Sequence, residues 1–342
     1  ERPVVVAGGG VWWGQAQNDL RAFVERANLP LFTRAAGRGC VPDDHPLVIG
    51  PALALHPAMQ GALAQADLVV LLGTRFEFTF EARAVPPTTP IVRVDIEPSA
   101  LSNGRQAEVG IVGDCGVVLR QLAEGVRAAS HRDWLEQLQK SAELLRQAVE
   151  PALHSDHCPI HPLRLFGEIS KLVDGDTILS VGGGDVCAWG NVFLPAPGPG
   201  QFLSIISSIF GCLGVAVPYG IAAKLAHPDK KVLVTTGDGS FGLTCMEMET
   251  AVRHDIPIVA IVGNDRGWGM IKRDVVKRRG SAHPACDLAP TRYDKIVEGM
   301  GGYGELVEKP EDIGPALQRA IDCGRPACVN VMIDPEVGPG LG

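Results

Sequence analysis

The sequence predicts an α/β protein built from two doubly wound domains, each with a parallel sheet. Three observations predict this fold class. The chain has 342 residues, which is long for one hydrophobic core and ordinary for two domains. Short apolar runs alternate along it with amphipathic stretches of helical period, as expected where crossover helices join parallel strands. Glycine-rich turns directly follow two of the apolar runs, at Gly8–Gly10 and at Gly182–Gly184.

The first predicted domain spans residues 1–130 and has the alternation of a Rossmann-like fold. Helices are expected in the amphipathic stretches Ala16–Asn28, His56–Gln65 and Val117–Val126. Gly8–Gly10 is predicted as a turn, and a loop is predicted through Gly37–Pro46. Strands are expected in the short apolar runs Val4–Ala7, Leu31–Thr33, Leu68–Leu72, Ile91–Asp95 and Val109–Val112.

A charged helical stretch over residues 132–154, ending near Pro151, is expected to join the domains, so residues 131–160 are predicted as a helical linker. The second domain is predicted to span residues 161–342. Its strands are expected at Thr177–Val181, Val232–Thr236, Ile258–Val262 and Ala327–Ile333. Its helices are expected at Pro162–Leu172, within Gly214–Ala226, at Thr244–His254 and at Pro310–Cys323.

The composition argues against several classes of function. The net charge is −8, from 31 basic and 39 acidic residues without a Lys/Arg cluster, so nucleic acid and anionic membranes are not expected partners. The longest apolar runs, such as Ile256–Val262, are too short to span a bilayer. Nine cysteines, an odd number without C-x-x-C spacing, argue against a disulfide framework or a zinc site and favour a cytoplasmic location.

Two polar residues stand at the ends of neighbouring predicted strands in the second domain. Asp238 follows the run Val232–Thr236, and Asn264 follows Ile258–Val262, 26 positions further along the chain. Because parallel strands present their carboxyl ends at one edge of a sheet, both side chains are expected at the same ligand-binding edge. Hard oxygen ligands of this kind suit Mg²⁺.

The residues around Asp238 are those of a loop that approaches a phosphate. Gly237 and Gly239 would let the backbone come close, and Ser240 would begin the turn before the next helix. Each motif alone, G-D-G or N-D-x-G, is common in ordinary turns. Their joint placement at two strand ends around one crossover helix favours a shared site for Mg²⁺ and a diphosphate.

This pair of motifs resembles the signature of thiamine-diphosphate enzymes, in which G-D-G is followed by asparagine after a similar interval. The segments Gly237–Gly242 and Trp268–Ile271 are similar to the acetolactate synthase branch of that family. The resemblance implies that thiamine diphosphate and Mg²⁺ are the cofactors. It also implies that Asp238, Asn264 and the backbone carbonyl of Arg266 bind the metal.

The resemblance assigns further roles at the catalytic face. The carbonyl of Gly211 would accept a hydrogen bond from the aminopyrimidine amino group, and Leu213 would hold the cofactor in its bent form. The remaining implied contacts are those of Gly183 and Gly184 with the diphosphate and of Trp268, Gly269 and Met270 with cofactor or substrate.

The first domain resembles the middle domain of the same family, with Ala36–Leu47 and Gly73–Phe76 as its landmarks. In true acetolactate synthases that domain carries FAD, whereas in relatives that act on CoA esters it binds ADP or CoA. The usual FAD-contact stretch is replaced here by Gly50–Pro57. FAD is therefore not expected, and ADP or CoA is the expected occupant.

The resemblance covers two of the family's three domains. The pyrimidine-binding domain, which carries the glutamate that activates the cofactor, has no counterpart in these 342 residues. We expect it to be supplied by an N-terminal part that is missing here or by a separate subunit, and we expect the isolated chain to be inactive. A homodimer or homotetramer is expected, because in the family the other subunit covers the pyrimidine end of the cofactor.

The leading hypothesis is a thiamine-diphosphate- and Mg²⁺-dependent carbon–carbon lyase or carboligase that acts on 2-oxo acids, similar to acetolactate synthase. An enzyme similar to 2-hydroxyacyl-CoA lyase or oxalyl-CoA decarboxylase, with an acyl-CoA substrate, is the alternative within the family. A non-catalytic, nucleotide-binding regulatory subunit is the alternative of another class, although the retained Asp238 and Asn264 argue against it. An NAD-binding protein based on Gly8–Gly10 is disfavoured, because the full G-x-G-x-x-G is lacking.

Overall fold

The computed structural model of the chain describes residues 1–53, 56–76, 84–204 and 210–339. The chain divides into two compact units: unit 1 comprises residues 1–148 and 196–202, and unit 2 comprises residues 149–195 and those from 203 onward. Each unit contains a six-stranded parallel sheet with helices packed against it. The predicted fold class, two doubly wound α/β domains, is confirmed.

The strands of unit 1 are β1 (Pro3–Ala7), β2 (Leu31–Thr33), β3 (Val48–Pro51), β4 (Leu68–Leu72), β5 (Ile91–Asp95) and β6 (Val109–Val112). Their order in the sheet is β3-β2-β1-β4-β5-β6. The chain therefore winds outward in both directions from β1, which is the order of a dinucleotide-binding fold. β1 is buried along its whole length because helices cover both faces of such a sheet.

The helices of unit 1 are α1 (Gly9–Trp13), α2 (Gln17–Ala27), α3 (Pro57–Gln65) and α4 (Cys115–Gly125), and α5 (Arg132–Leu153) begins in unit 1 and ends in unit 2. Helix α4 begins after Asp114, whose carboxylate accepts the backbone N–H groups of Gly116 (2.9 Å) and Val117 (3.1 Å). Such a cap satisfies donors that the first turn leaves free. Helix α5 is anchored to unit 1 through buried Trp134, whose indole N–H donates to the Pro3 carbonyl (2.9 Å).

The strands of unit 2 are β7 (Thr177–Val181), β8 (Phe202–Ser204), β9 (Lys231–Gly237), β10 (Val259–Asn264), β11 (Tyr303–Val307) and β12 (Ala327–Met332). Their order is β11-β12-β10-β9-β7-β8. The helices are α6 (Pro162–Ser170), α7 (Asp185–Phe193), α8 (Ala216–Ala226), α9 (Asp238–Thr244), α10 (Glu247–Arg253), α11 (Gly269–Arg279), α12 (Tyr293–Gly299) and α13 (Ile313–Asp322). The carboxyl ends of β7, β9 and β10 therefore lie side by side.

Two of the predicted elements differ in the structure. Gly8–Gly10 was predicted as a turn, but Gly9 and Gly10 are the first two residues of α1. A glycine is needed at position 10 because a Cβ there would lie 2.6 Å from the Gly73 Cα. The helix predicted over Thr244–His254 is observed as the shorter α10 (Glu247–Arg253), and a separate helix that was not predicted, α9, begins immediately after β9. Ser240 therefore lies within a helix and not in a turn before it.

Two sequence predictions concern membranes and FAD. Within the described residues, no helix is both long and apolar enough to cross a membrane. In the stretch Gly50–Pro57, on which the FAD prediction rests, Ala54 and Leu55 lie outside the described residues. The prediction about the occupant of unit 1 therefore stays a prediction.

Candidate functional site

A cavity of about 170 Å³ opens at the carboxyl ends of β7, β9 and β10 in unit 2. Gly184 after β7, Asp238 after β9 and Asp265 after β10 all line it. Ligands of doubly wound sheets bind at this edge, where the strand ends meet. The predicted site residues that line the cavity are Gly184, Leu213, Gly237, Asp238, Gly239, Ser240, Trp268, Gly269 and Met270.

Backbone without side chains forms one wall of the cavity. Gly184, Gly237 and Gly239 belong to this wall. Gly183, directly before it in the chain, has a φ of +90°, and a Cβ there would lie 2.6 Å from the Gly237 nitrogen. A Cβ on Gly239 would lie 2.8 Å from the ring of Trp268. Only glycine fits at these positions. The wall lies beside the first turns of α7 and α9, where helix dipoles favour an anionic group such as a diphosphate.

Replacing Gly183 with alanine is expected to destabilise the chain by about 1–3 kcal/mol, because alanine is strained at this left-handed φ and its Cβ would press on Gly237. Urea unfolding measures the change. Gly299→Ala is the matched control, since a Cβ there meets no atom within 4 Å; its stability should stay within about 0.5 kcal/mol of the wild type. Equal stability of the two variants would contradict this account.

A buried carboxyl group, that of Asp238, and a half-buried one, that of Asp265, face each other in the cavity. Asp238 is 2% exposed; its Oδ1 accepts the N–H of Gly239 (2.8 Å), and its Oδ2 accepts the N–H of Gly267 (3.1 Å). Burial, followed by the charge of Asp265, raises the pKa of Asp238, and burial also raises the pKa of Asp265. Like charges this close are unfavourable unless a proton or a cation compensates them. The pair therefore has the character of a cation site.

The side chain of Asn264, the predicted partner of Asp238, forms its hydrogen bonds on the other side of β10. Its carboxamide nitrogen donates to the Thr291 carbonyl (3.3 Å) and to Asn330 Oδ1 (3.1 Å). Its carboxamide oxygen accepts the backbone N–H of Arg266 (3.1 Å). All the polar atoms of this side chain are thus already hydrogen-bonded within the protein.

The alternation of side chains along an extended strand explains this placement. Val262 belongs to the core of unit 2, and Asn264, two residues later, lies on the same side. Gly263 and Asp265 lie on the opposite side and both line the cavity. The structure therefore brings Asp265, and not Asn264, to Asp238. The strand end was predicted, but the residue beside Asp238 is the neighbour of the one predicted, and the metal role of Asn264 stays a prediction.

The carbonyl of Arg266, also predicted as a metal ligand, accepts the backbone N–H of Leu288 (2.8 Å). Arg266 has a φ of +58°, and the residue after it, Gly267, lines the cavity. Among the described residues, no three His, Cys, Asp or Glu side chains are grouped as a metal site. A cation here would be held by Asp238 and Asp265 with carbonyl and water oxygens, a donor set that suits Mg²⁺.

The turn predicted to contact the aminopyrimidine contributes one side chain to the cavity, that of half-exposed Leu213. Gly211 has a φ of +57° and is outside the cavity lining, as are Gly183 and Arg266 among the described residues. The N–H of Gly214 donates to Ser240 Oγ (2.9 Å). Ser240 therefore ties this turn to α9.

Asp185, which was not predicted, is the first residue of α7 and lines the cavity. Its Oδ2 accepts a hydrogen bond from the guanidinium of Arg273 on α11. Its Oδ1 is buried and has no hydrogen-bond partner among the described residues. Arg273 also donates to the Pro335 carbonyl (3.0 Å). The only sequence signal for this pair was the acidic residue directly after the turn Gly182–Gly184.

Comparison with family models assigns a description to each part of the chain. Residues 1–122 match the model for the central domain of thiamine pyrophosphate enzymes. Residues 182–331 match the model for the C-terminal TPP binding domain of thiamine pyrophosphate enzymes. The second match contains Gly184, Asp238, Asp265 and Met270 of the cavity.

Curated relatives match nearly the whole chain and extend well beyond it. An acetolactate synthase large subunit of Mycobacterium tuberculosis is 36% identical over 98% of this chain and 60% of its own length. Human 2-hydroxyacyl-CoA lyase 2 is 32% identical over 97% of this chain and 53% of its own length. Sulfoacetaldehyde acetyltransferase of Alcaligenes xylosoxydans xylosoxydans is 29% identical over 98% of this chain and 61% of its own length. The chain thus spans only part of each of these relatives.

Proposed function

We propose a function from the premise that the chain belongs to the thiamine pyrophosphate enzyme family, whose central and C-terminal domains it contains. The proposed function is that of a Mg²⁺- and thiamine-diphosphate-dependent carbon–carbon lyase or carboligase that acts on 2-oxo acids, as part of a larger protein or assembly. One observation carries the proposal. Asp238 and Asp265 face each other beside a wall of glycines, where a metal ion and a diphosphate would fit together.

In this proposal, Asp238, Asp265 and the carbonyl oxygen of Gly267 hold Mg²⁺. The backbone around Gly184 and Gly239 holds the diphosphate. The metal charge would remove the repulsion between the two carboxylates, and the charge of the diphosphate would be balanced in turn. Thiamine diphosphate, when bound, supplies the reactive carbon and the electron sink for breaking or forming a carbon–carbon bond.

The remaining wall of the cavity is apolar. Leu213, Trp268 and Met270 line it, and none of them titrates near neutral pH. We assign these side chains to orienting the cofactor and the carbon skeleton of the substrate and to excluding water, and not to proton transfer. An apolar substrate side supports ligation between small 2-oxo acids.

Lyase activity toward 2-hydroxyacyl-CoA, or decarboxylation of oxalyl-CoA, is the second candidate. The similarity to human 2-hydroxyacyl-CoA lyase 2 favours it. In that case unit 1 is proposed to hold ADP or CoA and not FAD. The absorbance spectrum of the purified protein tests this occupancy, and a stoichiometric yellow flavin band would exclude it.

The deciding assay compares the 342-residue chain with the assembly that includes a pyrimidine-binding domain. The complete assembly, proposed to be a cytoplasmic homodimer or homotetramer, is expected to turn over pyruvate and related 2-oxo acids or to cleave 2-hydroxyacyl-CoA. The chain alone is expected to be silent, because the activating glutamate comes from the other domain. Turnover by the chain alone at ordinary enzyme rates would refute the proposal that the activating glutamate comes from another domain. Silence of the complete assembly with bound cofactor would favour the regulatory alternative.

A further inference from the structure

A line of buried polar side chains runs behind the cavity, from the end of β10 to the surface beside α12. Asn264 is 1% exposed, Asn330 on β12 is 0% exposed, and Asp294 on α12 is 1% exposed. The line ends at the half-exposed guanidinium of Arg292. Polar groups in a core of this kind lower stability unless each is hydrogen-bonded. The structural role of these side chains therefore follows from their hydrogen-bond partners.

The hydrogen bonds in this line fix the direction of each carboxamide. The carboxylate of Asp294 accepts from Arg292 (2.5 Å) and, through Oδ1, from the Asn330 carboxamide nitrogen (3.3 Å). Both carboxamide nitrogens, of Asn330 and of Asn264, also donate to the Thr291 carbonyl, at 3.3 Å each. Because a carboxylate and a carbonyl can only accept, the Asn330 oxygen must face Asn264 and accept from its nitrogen (3.1 Å).

The oxygen of Asn264 is thereby directed at the backbone. It accepts the N–H of Arg266 at 3.1 Å, and this bond closes a turn that contains one residue, Asp265. An Asx turn of this kind sets the backbone of the residue it encloses. A flipped Asn264 carboxamide would place its NH₂ group against the Arg266 N–H and open the turn.

We propose that Asn330 and Asp294 are positioning residues that act through Asn264 to aim the Asp265 carboxylate at Asp238, and so set the affinity of the cavity for a divalent cation. This inference rests on the proposed function. Groups that orient the ligands of a metal typically change its affinity by about 10–100-fold when they are altered. The burial of these residues and the single allowed direction of their hydrogen bonds support this positioning role.

The test measures bound Mn²⁺ by electron paramagnetic resonance, in the full chain with saturating thiamine diphosphate. In Asn330→Asp, a carboxylate replaces the group that donates to Asp294 and to Thr291, so the Kd for Mn²⁺ is expected to rise at least about tenfold. Combining it with Asp294→Asn restores a donor–acceptor pair between the same positions. The double variant is expected to recover most of the lost affinity.

Cys328→Ala is the matched control, because Cys328 is buried on β12 two residues before Asn330 and has no place in the line. It is expected to lower the melting temperature and to leave the Kd for Mn²⁺ unchanged. Should Asn330→Asp fail to fold, Asn330→Leu takes its place, because leucine keeps the branched shape without a charge or a hydrogen-bonding group, and the same loss of Mn²⁺ affinity is expected.

The outcomes separate this inference from the function on which it rests. A wild-type chain that binds no Mn²⁺ with thiamine diphosphate would overturn the proposed function. Normal wild-type binding together with an unchanged Kd in the Asn330 variants, or an equal loss in Cys328→Ala, would overturn the positioning role alone. A double variant as weak as Asn330→Asp would remove Asp294 from the proposal.

Discussion

Replacing Asp265 with alanine is expected to lower the affinity of the chain for thiamine diphosphate with Mg²⁺ by more than about 100-fold, beyond the roughly 10–100-fold typical of residues that only orient a ligand. Asp265 lines the cavity and faces Asp238, and its removal leaves one carboxylate for a cation that needs several hard oxygens. Calorimetric titration of thiamine diphosphate at fixed Mg²⁺ measures the loss.

Two comparisons sharpen this test. Asn264→Ala should reduce affinity less, about tenfold, because Asn264 acts on the metal only through the turn that it closes. Asp274→Ala removes the same charge from an exposed ion pair with Arg278 and should leave affinity unchanged. A larger effect of Asn264→Ala than of Asp265→Ala would show that the ligand had been assigned to the wrong residue.

Replacing Arg273 with methionine is expected to destabilise the chain by about 3 kcal/mol. Asp185 is 7% exposed and would lose the guanidinium that compensates its charge. Breaking a buried ion pair by removing one partner typically costs about 3–5 kcal/mol, and we take the lower end because the Arg273 side chain is itself 27% exposed. The melting temperature should fall by about 6–12 °C, measured by calorimetry.

The same helix supplies the control for Arg273→Met. Arg278 on α11 pairs with Asp274 at the surface, where ion pairs contribute about 0–1 kcal/mol, so Arg278→Met should change stability little. Adding Asp185→Asn to Arg273→Met removes the stranded charge and should recover part of the loss. If Arg273→Met, Arg278→Met and the wild type all have the same melting temperature, the ion pair between Arg273 and Asp185 has no stabilising role.

The buried strands were predictable because each appears in the sequence as a short run of mostly apolar residues. Strands covered on both faces consist mostly of apolar residues, and Leu68–Leu72 and Thr177–Val181 were predicted with the bounds observed. Strand β11 (Tyr303–Val307) is mostly half-buried and contains a glutamate, so it has no such run. Helix α11 has no buried residue and therefore lacks the apolar stripe that identifies a helix.

The candidate site was predictable to the level of the strand end and no further. Parallel strands fix which ends meet, so Asp238 and the end of β10 could be paired from spacing alone. The choice between Asn264 and Asp265 depends on which of the two side chains lies on the cavity side of the sheet at the end of β10. The sequence motif does not contain this information. Asp185 and Arg273 are 88 positions apart, and their pairing depends on how α7 and α11 pack.

The facing carboxylates of Asp238 and Asp265 have a consequence for the lifetime of the protein. They belong to the ends of two adjacent strands, so a cation held between them would act as a non-covalent cross-link across the sheet edge. Ligands that bind only the native state add stability by mass action, about 2.7 kcal/mol at a free concentration 100 times the Kd. If Mg²⁺ and thiamine diphosphate are the bound ligands, the rate at which proteases degrade the chain would depend on the supply of magnesium and of this vitamin-derived cofactor.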